Sequence, residues 1–454
     1  MRAISDGKSR AAPHVAVVGG GFSGAMTAYH LLKAGGCRVT LIEQRGRAAA
    51  GAAYSTEDEA HLLNVRAANM SALPDAPGHF AEWLERQGGG DGASFAQRRL
   101  YHRYIAELLE QQDRDGRITV VRGAALALTE AGGRLALSMA DGSEIAADRV
   151  VLASGNLPAR RPPLAGEPGL IEERYVADPW SADGRAAVAG IAGIDGDVLL
   201  LGTGLTMVDM CLSLTGAGFG GRIVATSRRG LIPHGHAPFE PRPLAEPPAG
   251  RLAELLRETR ARARAVGWRA AVDALRPYSI DLWRGFTLAE RKRFLRHLRP
   301  YWDVHRHRIA PAVAQRLEQL RTEDRLEIVP GRVAGLARKG EAMAVTIRRR
   351  GGGGDAVREV AAVINCTGPS GDIAGADDAL VAQLLASGMA RPDPLRLGFE
   401  VDENSRVIAA DGSVRGNLFA VGPITKGCFW EIVAVPDIRM QVQAAAAEIL
   451  RAGP

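Results

Sequence analysis

A short apolar run, His14-Val-Ala-Val-Val18, passes straight into Gly19-Gly-Gly-Phe-Ser-Gly24, and a chain that makes this junction has few ways to fold. After a buried strand, the first glycine of such a set closes a tight turn and the second lets backbone approach a phosphate. The third lets a helix pack closely on the strand it has just left. Ala25 to Ala34 reads as that helix, and Arg38-Val-Thr-Leu-Ile-Glu43 as a second strand ending in an acid nineteen residues beyond Gly24. A carboxylate there is placed to accept hydrogen bonds from a ribose, and the free amides at the helix N-terminus suit a pyrophosphate. Gly19, Gly21, Phe22, Ser23, Gly24, Glu43 and Gln44 are therefore assigned to a dinucleotide.

The pattern returns further on. Asp197-Val-Leu-Leu-Leu201 turns through Gly202-Thr-Gly-Leu-Thr-Met207, continues as a helix to about Leu214, and comes back as the strand Arg222 to Ser227. Gly202, Gly204, Leu205 and Thr206 keep the phosphate-facing positions, while Met207 replaces the third glycine and sacrifices close helix–strand packing. Arg228 and Arg229 stand where an NAD site carries an acid. Two arginines suit the 2′-phosphate of NADP, which a guanidinium can hold with paired bonds; an exposed basic turn is the plainer alternative. Between Arg251 and Leu320 apolar residues recur at three- and four-residue spacing in an Ala/Arg/Leu-rich stretch, which reads as a helical insertion. The fold class expected is α/β, with two Rossmann-like dinucleotide-binding domains and that insertion in the second.

Other classes are excluded or disfavoured. The formal charge of +6 comes largely from the stretch between Arg251 and Arg325, and a surplus so confined suits anionic cofactors at least as well as nucleic acid. The four cysteines, Cys37, Cys211, Cys366 and Cys428, form no closely spaced pair, so neither a zinc site nor a local redox disulfide is encoded. His305-Arg-His-Arg308 places its histidines two apart, off a common helix face; no metal is assigned, and a solvated basic helix or a lid reaching NADP phosphates is expected instead, with Asp303 paired to these arginines. Met1 to Pro13 is polar and short of a secretory signal, and no run approaches the ~20 apolar residues that span a bilayer. A cytoplasmic protein with no nucleic-acid or membrane partner is expected.

Three further strands end in small residues: Arg149 to Gly155, Glu359 to Gly368, and Gly416-Asn-Leu-Phe-Ala-Val-Gly-Pro423. With the two glycine turns, this set resembles the two-dinucleotide-domain flavoproteins, which hold FAD in the first unit and NAD(P)H in the second. Gly51-Ala-Ala-Tyr-Ser-Thr56, His61 to Ser71, Gly202 to Asp209, Ser227 to Gly230, Trp302 to Arg308 and Trp430 to Arg439 narrow it. Together they resemble the bacterial FAD/NAD(P)-binding family, a group that includes an FAD-dependent urate hydroxylase. The likeness runs from about His14 to Ala447, with one departure, Arg66 in place of an expected proline.

The resemblance implies a flexible leader at 1–12, an FAD-binding domain at 13–165 plus 356–454, and an NAD(P)-binding domain at 190–355 with its insertion at 251–320. It adds Ala125, Ser154, Gly155, Gly422, Pro423 and Val435 to the FAD-side residues, and NADPH or NADH as second cofactor. Pro436 suits the first turn of a helix running to the C-terminus, whose dipole would favour a reduced, anionic flavin; a simple capped helix is the alternative. Hydride transfer then belongs to the cofactors, and the protein orients and excludes water.

With no cysteine pair to reduce, the acceptor is oxygen, a quinone-like molecule or a small oxidised substrate. The leading expectation is an NAD(P)H-using monooxygenase hydroxylating a small polar, purine-like molecule such as urate. An acceptor reductase without oxygen insertion and a non-catalytic redox sensor stand as alternatives. By resemblance the substrate-side candidates are His61, Asn64, Lys426, Trp430 and Glu431, which offer donors, an aromatic face and a base.

Overall fold

The computed structural model describes residues 12–162, 174–340, 342–351 and 354–451. Residues 1–11 of the expected leader lie outside them.

Strands β1 (His14–Val18) and β2 (Arg38–Glu43) enclose helix α1 (Phe22–Ala34). Helix α2 (Arg98–Gln112) precedes β3 (Ile118–Arg122). The antiparallel trio β4 (Ala125–Ala131), β5 (Arg134–Met139) and β6 (Glu144–Ala147) then leads to β7 (Arg149–Leu152). Beyond it come β8 (Tyr175–Val176), β9 (Val198–Leu201), helix α3 (Leu205–Gly216) and β10 (Ile223–Ser227). They are followed by β11 (Leu326–Lys339), β12 (Ala342–Arg349), β13 (Asp355–Val360) and β14 (Ala362–Asn365). The short hairpin β15 (Arg406–Ile408) and β16 (Val414–Ala420) precedes helix α4 (Val435–Arg451).

One sheet runs β15-β16-β7-β1-β2-β3, with β1 parallel to both β2 and β7. The other runs β13-β12-β11-β10-β9-β14-β8, with β9 parallel to both β10 and β14. The central strands Val-Leu-Leu-Leu of β9 and Arg-Val-Val-Leu of β7 are buried at every position, as strands covered on both faces must be. In each sheet the first strand sends its helix to one side and pairs with a later strand on the other, which opens a crevice at the strand C-termini. The fold expected from the two glycine turns is the fold present.

One boundary moves. The second sheet extends through β13 and β14 to Asn365, because Ala362–Asn365 pairs with β9 in parallel register; residues 356–365, expected with the first domain, belong to this sheet. A buried, wholly apolar strand has no local mark saying which of two parallel sheets it will join.

From Leu252 to Thr322 the chain between β10 and β11 is helical, in short pieces: Leu252–Val266, Trp268–Asp273, Ser279–Gly285, Leu288–Arg293 and Arg299–Arg306, then Pro311–Thr322. Trp283 of these helices, and Phe294 in the wide turn Phe294–Leu298 between two of them, pack with Trp430, from the segment before α4. The insertion therefore folds back on the first unit's C-terminal part. Among the described residues no helix is long and apolar enough to cross a membrane.

Candidate functional site

The first turn is built as its sequence requires. Gly19 adopts φ +104°, a conformation open to glycine and costly to other residues. A side chain there would strike the carbonyl of Ala153, at the end of β7. At Gly24 a Cβ would fall on the carbonyl oxygen of Gly19, so the start of α1 lies directly on the turn. At Gly422, after β16, it would strike Ser23. The ends of β1, β7 and β16 thus gather around the N-terminus of α1, bringing together Gly19, Gly21, Phe22, Ser23, Gly24, Ser154, Gly155, Gly422 and Pro423. No acidic side chain occupies the first turn of α1, which leaves its N-terminal field free for an anion.

Glu43 is buried at the end of β2, where its carboxylate accepts from the Gly20 amide at 3.0 Å and the Arg45 amide at 2.6 Å. Gln44 follows it and lines a cleft of about 700 Å³ that also touches Trp180 and Arg185 of the second unit. Ala125 opens β4 close by, since the amide of Gly123 donates to the Glu43 carbonyl at 3.2 Å. Val435 begins α4 at the other end of this arc, and Gln441 of that helix accepts from the Gly422 amide at 2.7 Å.

The second turn repeats the geometry. Gly202 adopts φ +117°, and a side chain on it would strike the Cys366 carbonyl after β14. Gly204 caps α3, Leu205 and Thr206 form its first turn, and no acid stands there. Met207 is fully buried and its sulfur lies 3.5 Å from Cys211 Sγ, so this helix seats a long side chain where α1 has none. Arg228 makes no hydrogen bond or ion pair among the described residues. Its guanidinium is held below its usual pKa by burial and by the nearby Arg332, Arg229 and Arg299. Arg229 stacks over Tyr301 at 5.6 Å. The pair is thus a concentration of positive charge with no carboxylate on Arg228, on a turn where Arg228 is exposed to solvent.

The substrate-side candidates separate. Lys426, Trp430 and Glu431 come together under the insertion. Lys426 Nζ stands 4.7 Å over the Trp430 ring, and Trp430 stacks on Trp283 at 4.7 Å. Trp302 donates to Glu431 at 2.9 Å, and Arg306 lies 3.3 Å from the same carboxylate. Burial pushes the Glu431 carboxyl up, but Arg306, His307, the Trp302 bond and Lys426 outweigh it and hold the group below the usual range. Lys426 is depressed to about 8, chiefly by burial and then by Arg299. Asp437, in the same cluster, is pushed up by burial despite Arg276 at 3.9 Å. The Trp430 Nε1 and one oxygen each of Glu431 and Asp437 are buried without a hydrogen-bond partner among the described residues.

His61 lies elsewhere, in the seam between the two units. Its Nδ1 bonds Thr56 at 2.8 Å, and its Nε2 faces the Asp209 carbonyl at 3.1 Å and Ser213 at 3.0 Å. With both ring nitrogens engaged it secures α3 against the first unit, beside the bidentate Arg98–Asp209 pair. Asn64 offers its carbonyl to His236 at 3.0 Å. Arg66 departs from proline without changing the backbone: its φ of −62° is the angle a proline ring imposes, and its guanidinium donates to Ala93 O at 2.8 Å.

The basic stretch at Trp302–Arg308 is not a solvated helix. Arg306 pairs with Glu431, and Arg308 grips Asp273 with bonds of 3.1 and 2.6 Å at 3% side-chain exposure. Asp303 pairs with Arg299, one turn back, instead of with these arginines. Arg306, Trp283, Arg299 and Arg276 were missed from sequence. The available signal was Trp302 and Arg306 at i and i+4, which puts both on one helix face.

A family model described as FAD-NAD(P)-binding matches residues 16–157, the part of the chain that carries the first glycine turn. No curated protein matches the sequence. Among solved structures, ornithine N-hydroxylase of Kutzneria sp. 744, with reduced FAD, NADP+ and L-ornithine, is similar at 15% identity and TM-score 0.67, over 97% of this chain and 99% of that one. L-lysine 6-monooxygenase of Pseudomonas syringae follows at 17% identity and TM-score 0.65, with the same coverages. Bacillithiol disulfide reductase of Bacillus cereus shares the architecture at 14% identity and TM-score 0.55, again over 97% and 99%. The fold is that of the flavoprotein monooxygenases and reductases. The expected cofactors, FAD and NADPH, agree with the family description and with the cofactors in the Kutzneria structure.

Proposed function

We propose that the protein is an FAD-dependent, NADPH-using monooxygenase acting on a small polar molecule. The observation that carries this reading is the pair of matching crevices joined to an environment hostile to thiol chemistry. Burial raises the pKa of all four cysteines, Cys428 to about 11 and Cys366 well above its ordinary value. A thiol so held supplies little thiolate at neutral pH and makes a poor attacking group for disulfide exchange. The likeness to the disulfide reductase therefore supports the fold and not its chemistry, while the amine hydroxylases are alike over the same coverage with a higher score.

The residues fit FAD. Gly19, Gly24 and Gly422 let the strand ends close on the start of α1 where any Cβ would clash, Ser23 and the first amides of α1 are free for a pyrophosphate, and Glu43 keeps carboxylate lone pairs for a ribose. Gly202 to Thr206 with Arg228 and Arg229 would hold NADPH. When bound, the flavin accepts hydride and activates oxygen. The chain's own part is to hold the nucleotides, shut out water with the Trp283, Phe294 and Trp430 packing, and present Lys426 to a substrate, while Glu431 anchors Arg306 and Trp302 of the insertion. His61 and Asn64 then act at a distance, by fixing the seam.

The substrate is either an amine, as in the named neighbours, or an acidic heterocycle such as urate. The FAD-loaded protein should oxidise NADPH and consume oxygen in step with hydroxylated product from one of ornithine, lysine or urate. Oxygen consumed only as peroxide with every compound, or electrons passed to quinones without product, would replace this reading with an acceptor reductase.

A further inference from the structure

The strand ends of the two sheets meet at a small cavity of about 60 Å³. Gly155 and Asn156 reach it from the end of β7, Ser370 from the end of β14, and Pro423 from the end of β16. The Ser370 amide donates to Leu157 O at 3.4 Å and to Pro158 O at 3.3 Å, so the two units are joined at this point. The charged part of the wall is cationic, formed by Lys426 and Arg299. Lys426 is satisfied only by the face of Trp430 and makes no ion pair among the described residues. Arg299 is answered by Asp303 at 3.3 Å, on its own helix and outside the cavity lining. Glu431, the nearest buried carboxylate of the cluster, is already taken by Arg306 and Trp302. Two neighbouring cations that repel each other in a partly desolvated place, with no carboxylate lining the cavity, are stabilised together by an incoming anion.

We propose that this cavity is an anion subsite in which Lys426 and Arg299 jointly hold the negatively charged group of the substrate, a carboxylate or the oxyanion of an acidic heterocycle. The size sets the scale of the group. A water occupies about 10–15 Å³ on this measure, so the space takes a carboxylate-sized group while the rest of the molecule extends along the strand ends. The inference rests on the monooxygenase reading and gives its substrate a sign of charge. The same oxyanion chemistry could be supplied by the diphosphate of NADPH, and the experiment separates the two sources.

The probes are benzoate, its neutral counterpart benzamide, urate and NADP+, titrated into the FAD-loaded protein and followed by the flavin difference spectrum. An anion held by two charged donors should bind about tenfold or more tightly than its neutral isostere. Benzoate or urate is expected to perturb the flavin, with benzamide at least tenfold weaker than benzoate. Lys426→Met and Arg299→Gln should each erase most of that preference, Lys426→Arg should keep it, and NADP+ affinity should hold within about twofold throughout. Equal binding of benzoate and benzamide, or no response to either anion, overturns the proposal. So does a loss of NADP+ affinity in Lys426→Met or Arg299→Gln, which would assign the cations to the nucleotide. A preparation that takes up no FAD counts against the monooxygenase reading instead; the subsite is then read through quenching of tryptophan fluorescence by benzoate, since Trp430 lies under Lys426.

Discussion

Arg98 and Asp209 join the two units by a fork of two hydrogen bonds, 3.0 and 2.9 Å long, and Arg98 Nε adds a third to the Leu62 carbonyl at 3.1 Å. The side chains are 15% and 7% exposed, so little water is at hand to replace a missing partner. Arg98→Met leaves the Asp209 carboxylate buried and uncompensated, which in such pairs costs about 3–5 kcal/mol. The residual exposure of Arg98 argues for the lower end, about 3 kcal/mol, or roughly a hundredfold in the folding equilibrium. Adding Asp209→Asn should return a large part of the loss, because an amide is far cheaper to bury than a charge. Arg98→Lys should fall between, since an ammonium cannot reproduce the fork. Urea unfolding followed by tryptophan fluorescence reads all four proteins. A cost under about 1 kcal/mol for Arg98→Met, the range of exposed pairs, or a double variant less stable than the single one, would refute the assignment of this pair as the bolt of the seam. Because Asp209 lies on α3 with Gly204 at its cap, loosening the bolt should also slow NADPH-driven flavin reduction.

Gly24→Ala places a methyl group on a backbone carbonyl with no side chain able to yield, so it should cost about 1–3 kcal/mol or more and abolish FAD retention on gel filtration; retained FAD at full stability would contradict the close packing. Arg228→Ala with Arg229→Ala should raise the Kd for NADP+ about tenfold or more and leave that for NAD+ nearly unchanged, and equal losses for both would remove the 2′-phosphate assignment. His30, buried with Nε2 lacking a partner among the described residues, is depressed from 6.5 to about 4 by burial and then by Lys33. Its folded pKa lies below the unfolded one, so its contribution is complete above pH 6.5 and is lost as pH falls toward 4. That term reaches about 3 kcal/mol, shared along the pH axis with other buried histidines, and His30→Leu should flatten the stability profile in this window; unchanged steepness would show that His30 is not held neutral.

What the sequence declares and what it conceals divide along a physical line. Gly19, Gly24 and Gly202 were legible because each has a steric duty that only glycine performs, and that duty is set by residues close along the chain or by a strand of unmistakable pattern. Arg228 was legible for a similar reason, since it follows directly from the end of a strand already placed. The allegiance of Ala362–Asn365 was not, because every position in it is buried and apolar in either sheet. The setting of His61, on the wall of the cleft that Gln44 also lines and bonded to a neighbouring helix, was not legible, because a polar residue after a nucleotide unit looks the same whether it faces a substrate or a neighbouring helix. Its partners, Asp209 and Ser213, lie far away in sequence and say nothing until the units dock. The Arg306–Glu431 contact marks the limit most clearly. Each residue is an ordinary charge in its own segment, and the same energetic rule that hides the pair makes it informative once seen. A charge in the interior persists only with a partner, so a buried ion cluster shows where two distant parts of the chain had to fit. Here that fit carries the helical insertion onto the C-terminal part of the first unit, where Trp283 and Phe294 pack on Trp430.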